Sequence, residues 1–327
     1  MSVTLIILIG LAIIFDFLNG VHDSSNIVAT MISSRAIAPR AALTITAIAE
    51  FCGPFIFGVA VANTIGHEIV DSAQLNMLVI IAALVSAIVW NIMTWVLGIP
   101  SSSSHALIGG IIGSVAVGAG FGVIKMDGVI KVLISLFASP IIGFVAGMLI
   151  ANLVFLLSWK STPRVNGVFK KLQIITSIGL ALSHGTNDAQ KTMGIITLGL
   201  LISGTISTFH VPTWVMVLCA AAIALGTSVG GWQLIRTLGS KFYKIRPVDG
   251  FASQIASAAV ILTASLVGGP VSTTQVVSTA IMGVGAAERV SKVRWGVGGE
   301  IASAWLFTIP STALLGAGVY LLLNLIW

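Results

Sequence analysis

Long apolar stretches dominate the chain, at residues 2–15, 41–62, 75–99, 133–159, 213–235, 251–267 and 295–326. Apolar runs of about 20 residues match the length of a membrane-spanning helix. Within these runs hydrophobic positions are continuous and do not alternate. That pattern argues against a closed barrel, the other architecture that satisfies its backbone in lipid. Short polar segments separate the runs. They predict five crossings in the first half: residues 1–34 as a broken element, then 41–62, 75–98, 101–120 and 131–158.

Composition supports the same class. The 327 residues are 57% hydrophobic and only 8% charged, against about 25% charged in soluble domains. Residues 1–15 lack the basic start and cleavage site of a signal peptide, so the first helix is expected to remain. Cys52 and Cys219 lie in apolar runs and read as small buried hydrophobes, with no disulfide or metal role. The net charge of +6 sits mostly in short loops, as membrane topology requires, and implies no nucleic acid.

The chain repeats itself. "NGVHDSSN" at residues 19–26 aligns with "SHGTNDAQK" at 183–191, placing Gly20 on Gly185 and Asp23 on Asp188, an offset of 165. "IPSSSSHALIGGIIGS" at 99–114 aligns with "GPVSTTQVVSTAIMGV" at 269–284, placing Ser102 on Ser272 and Ser104 on Thr274, an offset of 170. Two motifs recurring in one order indicate a duplication: residues 1–158, a basic linker at 159–172, and residues 173–327.

Loop charge swaps between the halves. The loop at 35–40 is basic, whereas its counterpart at 205–212 has no Lys or Arg. The loop at 63–73 carries only Glu68 and Asp71, whereas its counterpart at 236–247 carries Arg236, Lys241, Lys244 and Arg246. Because cytoplasmic loops collect Lys and Arg, the halves should be inverted, with the linker inside and both termini outside. The loop at 125–131, expected outside, is the exception, with Lys125 and Lys131 beside Asp127. The fold expected is therefore an all-α polytopic membrane protein of two inverted-topology repeats with broken or re-entrant helices, and 10–12 transmembrane segments. Such repeats are typical of secondary transporters, with sites where the repeats meet.

The polar motifs then suggest a chemistry. "PSSSSH" and "GPVSTTQ" each break an apolar run with proline and open a Gly-rich helix. Ser and Thr are good N-caps, and a helix start presents N–H groups and partial positive charge to anions. Ser102, Ser103 and Ser104, facing Ser272, Thr273 and Thr274, would cradle a small oxyanion; the plainer reading is ordinary capping. Asp23 and Asp188, repeated intramembrane carboxylates, mark an ion or proton path. With Asn26 and Asn187 they offer oxygens to a cation such as Na⁺. A buried carboxylate could instead carry a proton. Cation neutralisation would couple the cation to the anion. Lys191 could offset anion charge or pair with Asp188 or Glu50. His22, His105 and His184 lack metal-site spacing and read as hydrogen-bonding groups, with Gln275 beside the second cradle. Asp16, Glu50 and Glu300 read as polar packing groups, the two glutamates unpaired.

These residues carry a resemblance. "NGVHDSSNIVATMISSRA" and "SHGTNDAQKTMGII" resemble the paired signatures of the inorganic phosphate transporter (Pit) family. "IPSSSSHALIGGIIG" and "GGPVSTTQVVSTAIMGVGAAERVSKVRWG" resemble its other repeated segments. The likeness spans residues 15–295 and matches the short bacterial form, without a large central domain. "HDSSN" stands where many members have NDxAN, and Lys191 replaces the final Asn of that pattern in "NDAQK". The resemblance implies a symporter in the cell membrane importing inorganic phosphate with Na⁺ or H⁺. It needs no further cofactor, and Asp23 and Asp188 bind Na⁺ if sodium drives it. Its partners are phosphate and the lipid bilayer, with a homo-oligomer left open. Sulfate is the alternative substrate of the same fold. A membrane lipid phosphatase, suggested faintly by "PSSSSH", lacks an Arg between His105 and Arg164 and a suitable downstream His–Asp pair; the chain is expected not to be an enzyme.

Overall fold

The computed structural model describes residues 2–99, 101–162, 164–232, 235 and 243–326, with side chains for all of these except Ala73, Val297, Glu300 and Ile301. Ten helices of 16 residues or more occur among the described residues. They are α1 (Val3–Ser33), α2 (Pro39–Phe57), α4 (Met77–Leu97), α5 (Ser103–Gly118), α6 (Met126–Leu157), α7 (Val165–Ile202), α8 (Thr213–Val229), α9 (Pro247–Leu266), α10 (Thr273–Glu288) and α11 (Trp295–Ile326). A short α3 (Ala60–Asn63) continues into a π-helical turn at Thr64–Glu68. Six of these helices are long and apolar enough to cross a membrane.

Punctuation in the sequence sets the helix ends. Ser2 caps α1 by accepting from the Leu5 amide at 3.3 Å. Pro39 and Pro247 open α2 and α9, where the missing N–H costs nothing. Left-handed glycines close α4 and α9 at equivalent places: Gly98 (φ 67°) and Gly268 (φ 73°). The next residues, Ile99 and Gly269, reach back to Thr94 O (2.9 Å) and Ala264 O (2.8 Å). These two breaks precede the Ser/Thr-rich starts of α5 and α10.

The break expected within residues 1–34 is absent. α1 runs unbroken for 31 residues, about 46 Å at 1.5 Å per residue, and α7 for 38. Both signatures therefore lie in mid-helix. Nothing in them removes a backbone donor; Ser24 and Ser25 bond carbonyls of their own turn, and Asp23, Asn26, Asn187 and Asp188 reach partners on or just before α10.

The halves interdigitate. α1 packs on α8 and α2 on α7; α5 packs on α11 and α10 on α6. Every one of these pairs has its counterpart with the halves exchanged, as a pseudo-two-fold axis requires. Small residues make the crossings close. A Cβ on Gly20 would lie 3.0 Å from the Ile223 carbonyl carbon, and one on its counterpart Gly185 2.7 Å from Glu50 Cα. Among the described residues each half contributes five long helices, an odd number, so the second half starts from the opposite face and is inverted.

Loops that share a charge sign share a face. Ser34 bonds Gln173 (2.6 Å), Gln173 bonds Pro247 O (2.8 Å), Arg246 lies over the Phe155 ring, and Lys292 pairs with Asp249. On the opposite face Lys125 N bonds Ile69 O (2.9 Å), and a cavity of about 720 Å³ is bounded by His67, Glu68, Ser207 and Phe209. The lysines of the anomalous loop are accounted for there: Lys131 pairs with Glu68 at 2.8 Å and Lys125 donates to His67 O at 3.0 Å. Arg236 and Lys241 lie outside the described residues. Cys219 is buried as expected, but Cys52 is half-buried.

Candidate functional site

All four repeated motifs occupy the centre. Residues 19–31 of α1, 183–200 of α7, 101–111 around the start of α5 and 268–278 around the start of α10 are continuously buried. Apolar residues seal this polar centre on both sides, Phe15 and Leu107 in one cluster and Ile27 and Val276 in another.

The two helix starts face each other. Ser102 caps α5, its Oγ accepting from the His105 amide (3.2 Å), and Ser272 caps α10 by accepting from the Gln275 amide (3.4 Å). Ser104 Oγ donates to Val271 O just before α10 (3.1 Å), and Gln275 Nε2 meets His105 Nε2 at 3.4 Å. His105 Nδ1 also lies 2.8 Å from Ser102 Oγ. Ser103 is the first, buried, residue of α5.

The signature carboxylates reach the start of α10. Asp23 Oδ1 accepts from Thr274 Oγ1 (2.8 Å) and Asn26 Nδ2 (2.9 Å), and His22 Nδ1 lies 3.4 Å from it. Asp23 Oδ2 faces Thr273 Oγ1 at 3.4 Å. Asp188 Oδ1 binds the Lys191 ammonium, and Asp188 Oδ2 accepts from Thr273 Oγ1 at 2.9 Å. His184 Nε2 lies 2.9 Å from Asp188 Oδ2 and 3.9 Å from Asp23 Oδ2. One atom each of Asp23, Asp188 and His184 lie within 4.8 Å of one another. Two carboxylates, a hydroxyl and an imidazole around one point form a donor set suited to a hard cation or a proton.

The remaining residues divide into two groups. Asn187 is spent on the break between α9 and α10: its amide nitrogen donates to Ser265 Oγ (2.9 Å) and Gly269 O (3.4 Å), and its oxygen accepts from Val271 N (3.3 Å). Glu50, expected to be unpaired, meets His184 Nδ1 at 2.8 Å. That pair arises from the α2–α7 crossing at Gly185 and has no sequence signal, since Glu50 has no counterpart in the repeat. Asp16 and Asn19 are entirely buried on α1; the Asp16 carboxylate has the Thr192 hydroxyl beside it, and the Asn19 side-chain amide makes no hydrogen bond among the described residues. The Glu300 side chain lies outside the described residues.

A model of the phosphate transporter family matches the chain twice, over residues 19–165 and 156–316. The chain is 45% identical over 326 residues to a probable low-affinity inorganic phosphate transporter of Bacillus subtilis (strain 168), covering 98% of each. It is 46% identical to a protein of the same description from Rhizobium meliloti (strain 1021), covering 98% of this chain and 96% of that one. Among solved structures, one described as the sodium-dependent phosphate transporter superposes with a TM-score of 0.90 at 26% identity, covering all of both chains.

Proposed function

The chain belongs to the phosphate transporter family, and on that premise we propose that it is a secondary active symporter importing inorganic phosphate with a co-transported cation. One observation carries the reading: a carboxylate from each repeat, Asp23 and Asp188, binds the hydroxyls of one broken-helix start, Thr273 and Thr274. The phosphate site lies between the starts at Ser102–Ser104 and Ser272–Thr274. The cation site comprises Asp23, Asp188 and Asn26, while Asn187 holds the neighbouring break in shape.

Coupling follows from proton counting. Each threonine hydroxyl has one proton, and here those protons are directed at carboxylates. Turned that way they cannot serve an anion, and the carboxylates repel it. A cation at Asp23 and Asp188 satisfies the carboxylates, frees the hydroxyls to turn, and removes the repulsion. Phosphate then binds well only after the cation. The sodium dependence in the description of the similar structure favours Na⁺ over H⁺. Phosphate near neutral pH carries an acidic hydroxyl that these carboxylates can accept; sulfate has none, which favours phosphate.

The repeats are 1–158 and 173–327, joined by the linker 159–172. The face bearing Arg35, Arg40, Lys160, Lys170, Lys244 and Arg246 is cytoplasmic, leaving both termini outside the cell membrane. The test is radiolabelled phosphate uptake into proteoliposomes under an inward Na⁺ gradient and, separately, a proton gradient. Accumulation above equilibrium is expected, and Asp23→Asn should abolish it while the protein stays folded. Equilibration without accumulation under both gradients would remove the symporter reading.

A further inference from the structure

The two signatures build the same node from different residues. The 165-residue offset places Lys191 on Asn26, and the 170-residue offset places Thr274 on Ser104. In the first-half node Asn26 Nδ2 bridges Asp23 Oδ1 at 2.9 Å and Thr274 Oγ1 at 3.0 Å. In the second-half node Lys191 Nζ bridges Asp188 Oδ1 and Ser104 Oγ, the latter at 2.5 Å, and also donates to Val271 O at 3.0 Å. A carboxylate, a hydroxyl and a backbone carbonyl are the oxygen types that hold Na⁺. Here an ammonium, 1% exposed, sits among all three.

We infer that the Lys191 ammonium is a tethered cation occupying the second-half node, so that no mobile cation binds there and the mobile cation is held between Asp23 Oδ2 and Asp188 Oδ2. The inference rests on the transport reading above and concerns its stoichiometry. The remaining oxygens fit one mobile cation: Asp188 Oδ2 turns away from Lys191 towards Thr273 and His184, and Asp23 Oδ2 faces the same groups. A hard cation there receives a carboxylate from each repeat, while the charge at Asp188 Oδ1 is already neutralised. The cation requirement per phosphate is then one lower than two unfilled nodes would give. Being tethered, this positive charge stays with Asp188 throughout the cycle and is not delivered with phosphate.

Lys191→Asn gives the second half the same Asp–Asn–hydroxyl node as the first. Sodium and phosphate fluxes are measured together in proteoliposomes for the wild type and this variant. The expected result is a variant whose Na⁺-to-phosphate ratio, and whose exponent for Na⁺ in initial uptake, exceed the wild-type values by one. An unchanged ratio and exponent with a weakened half-saturating phosphate concentration would overturn the inference and make Lys191 a phosphate ligand. Should the variant not transport, its melting temperature in detergent against NaCl, at constant ionic strength with choline, decides. A sodium-specific rise larger than in the wild type, and absent from Lys191→Asn/Asp188→Asn, supports the tethered cation; equal responses refute it. Absence of phosphate uptake by the wild type would sink the transport reading, and the melting comparison would still report on the node.

Discussion

Replacing Asp188 by Asn removes the carboxylate on which the Lys191 ammonium rests. Both side chains are buried, at 0% and 1% exposure, so water cannot take the place of the lost partner. Breaking a buried ion pair from one side costs about 3–5 kcal/mol. Lys191 keeps two neutral acceptors, Ser104 Oγ at 2.5 Å and Val271 O at 3.0 Å, and the loss of repulsion with Asp23 offsets a further part. The lower end, about 3 kcal/mol, is therefore expected. Asp23→Asn serves as the control: its closest partners, Asn26 at 2.9 Å and Thr274 at 2.8 Å, are neutral donors that can bond an amide oxygen, and the His22 and His184 imidazoles lie farther off at 3.4 and 3.9 Å. It should cost about 1 kcal/mol, the worth of an ordinary hydrogen bond. Asp188→Asn combined with Lys191→Met removes both charges and should return to within about 1 kcal/mol of wild type, because apolar replacement of a buried pair is close to neutral. Unfolding in mixed micelles titrated with a denaturing detergent, followed by tryptophan fluorescence, of wild type, Asp188→Asn, Lys191→Met and the double variant gives all four values of the cycle, with Asp23→Asn beside them. Additive losses in the double variant, or an Asp188→Asn protein as stable as Asp23→Asn, would refute the assignment of a coupled buried pair.

Two further outcomes are expected. Gly185→Ala puts a Cβ 2.7 Å from Glu50 Cα, where backbone must yield, whereas Gly179→Ala on the same helix meets open space; the first should lose about 1–3 kcal/mol and the second gain up to about 1 kcal/mol, read as opposite shifts in melting temperature. Burial, with Asp249 nearby, raises the Tyr243 phenol well above its usual range, and its Oη donates to Ile281 O at 3.0 Å. An acid whose folded value is raised stabilises fully below its unfolded value, near 10, and loses that contribution as pH climbs from there through the folded value; Tyr243→Phe should flatten the alkaline fall in stability above pH 10, and an identical fall in both proteins would remove the assignment.

The sequence by itself determined the class, the duplication and the polar residue types that meet at the buried centre. Apolar runs too long and continuous for anything but membrane helices, and two motifs recurring at fixed offsets, are local or periodic facts that no packing can change. The swap of loop charge was legible for the same reason, and even the exceptional lysines at 125 and 131 lie on the face their position required. Tertiary structure decided three things. α1 stays continuous, because no residue of its signature interrupts the backbone ladder, and Asp23 and Asn26 reach Thr274 from an intact helix. Glu50 is paired because the Gly185 crossing brings α2 against α7, and the result is a contact between residues 134 positions apart. The equivalent positions Asn26 and Lys191 proved to be the same node filled by an amide in one half and an ammonium in the other. Alignment identifies positions that correspond; it does not give the distances at which a charge is neutralised, and those arise only where the helices of the two repeats interlock.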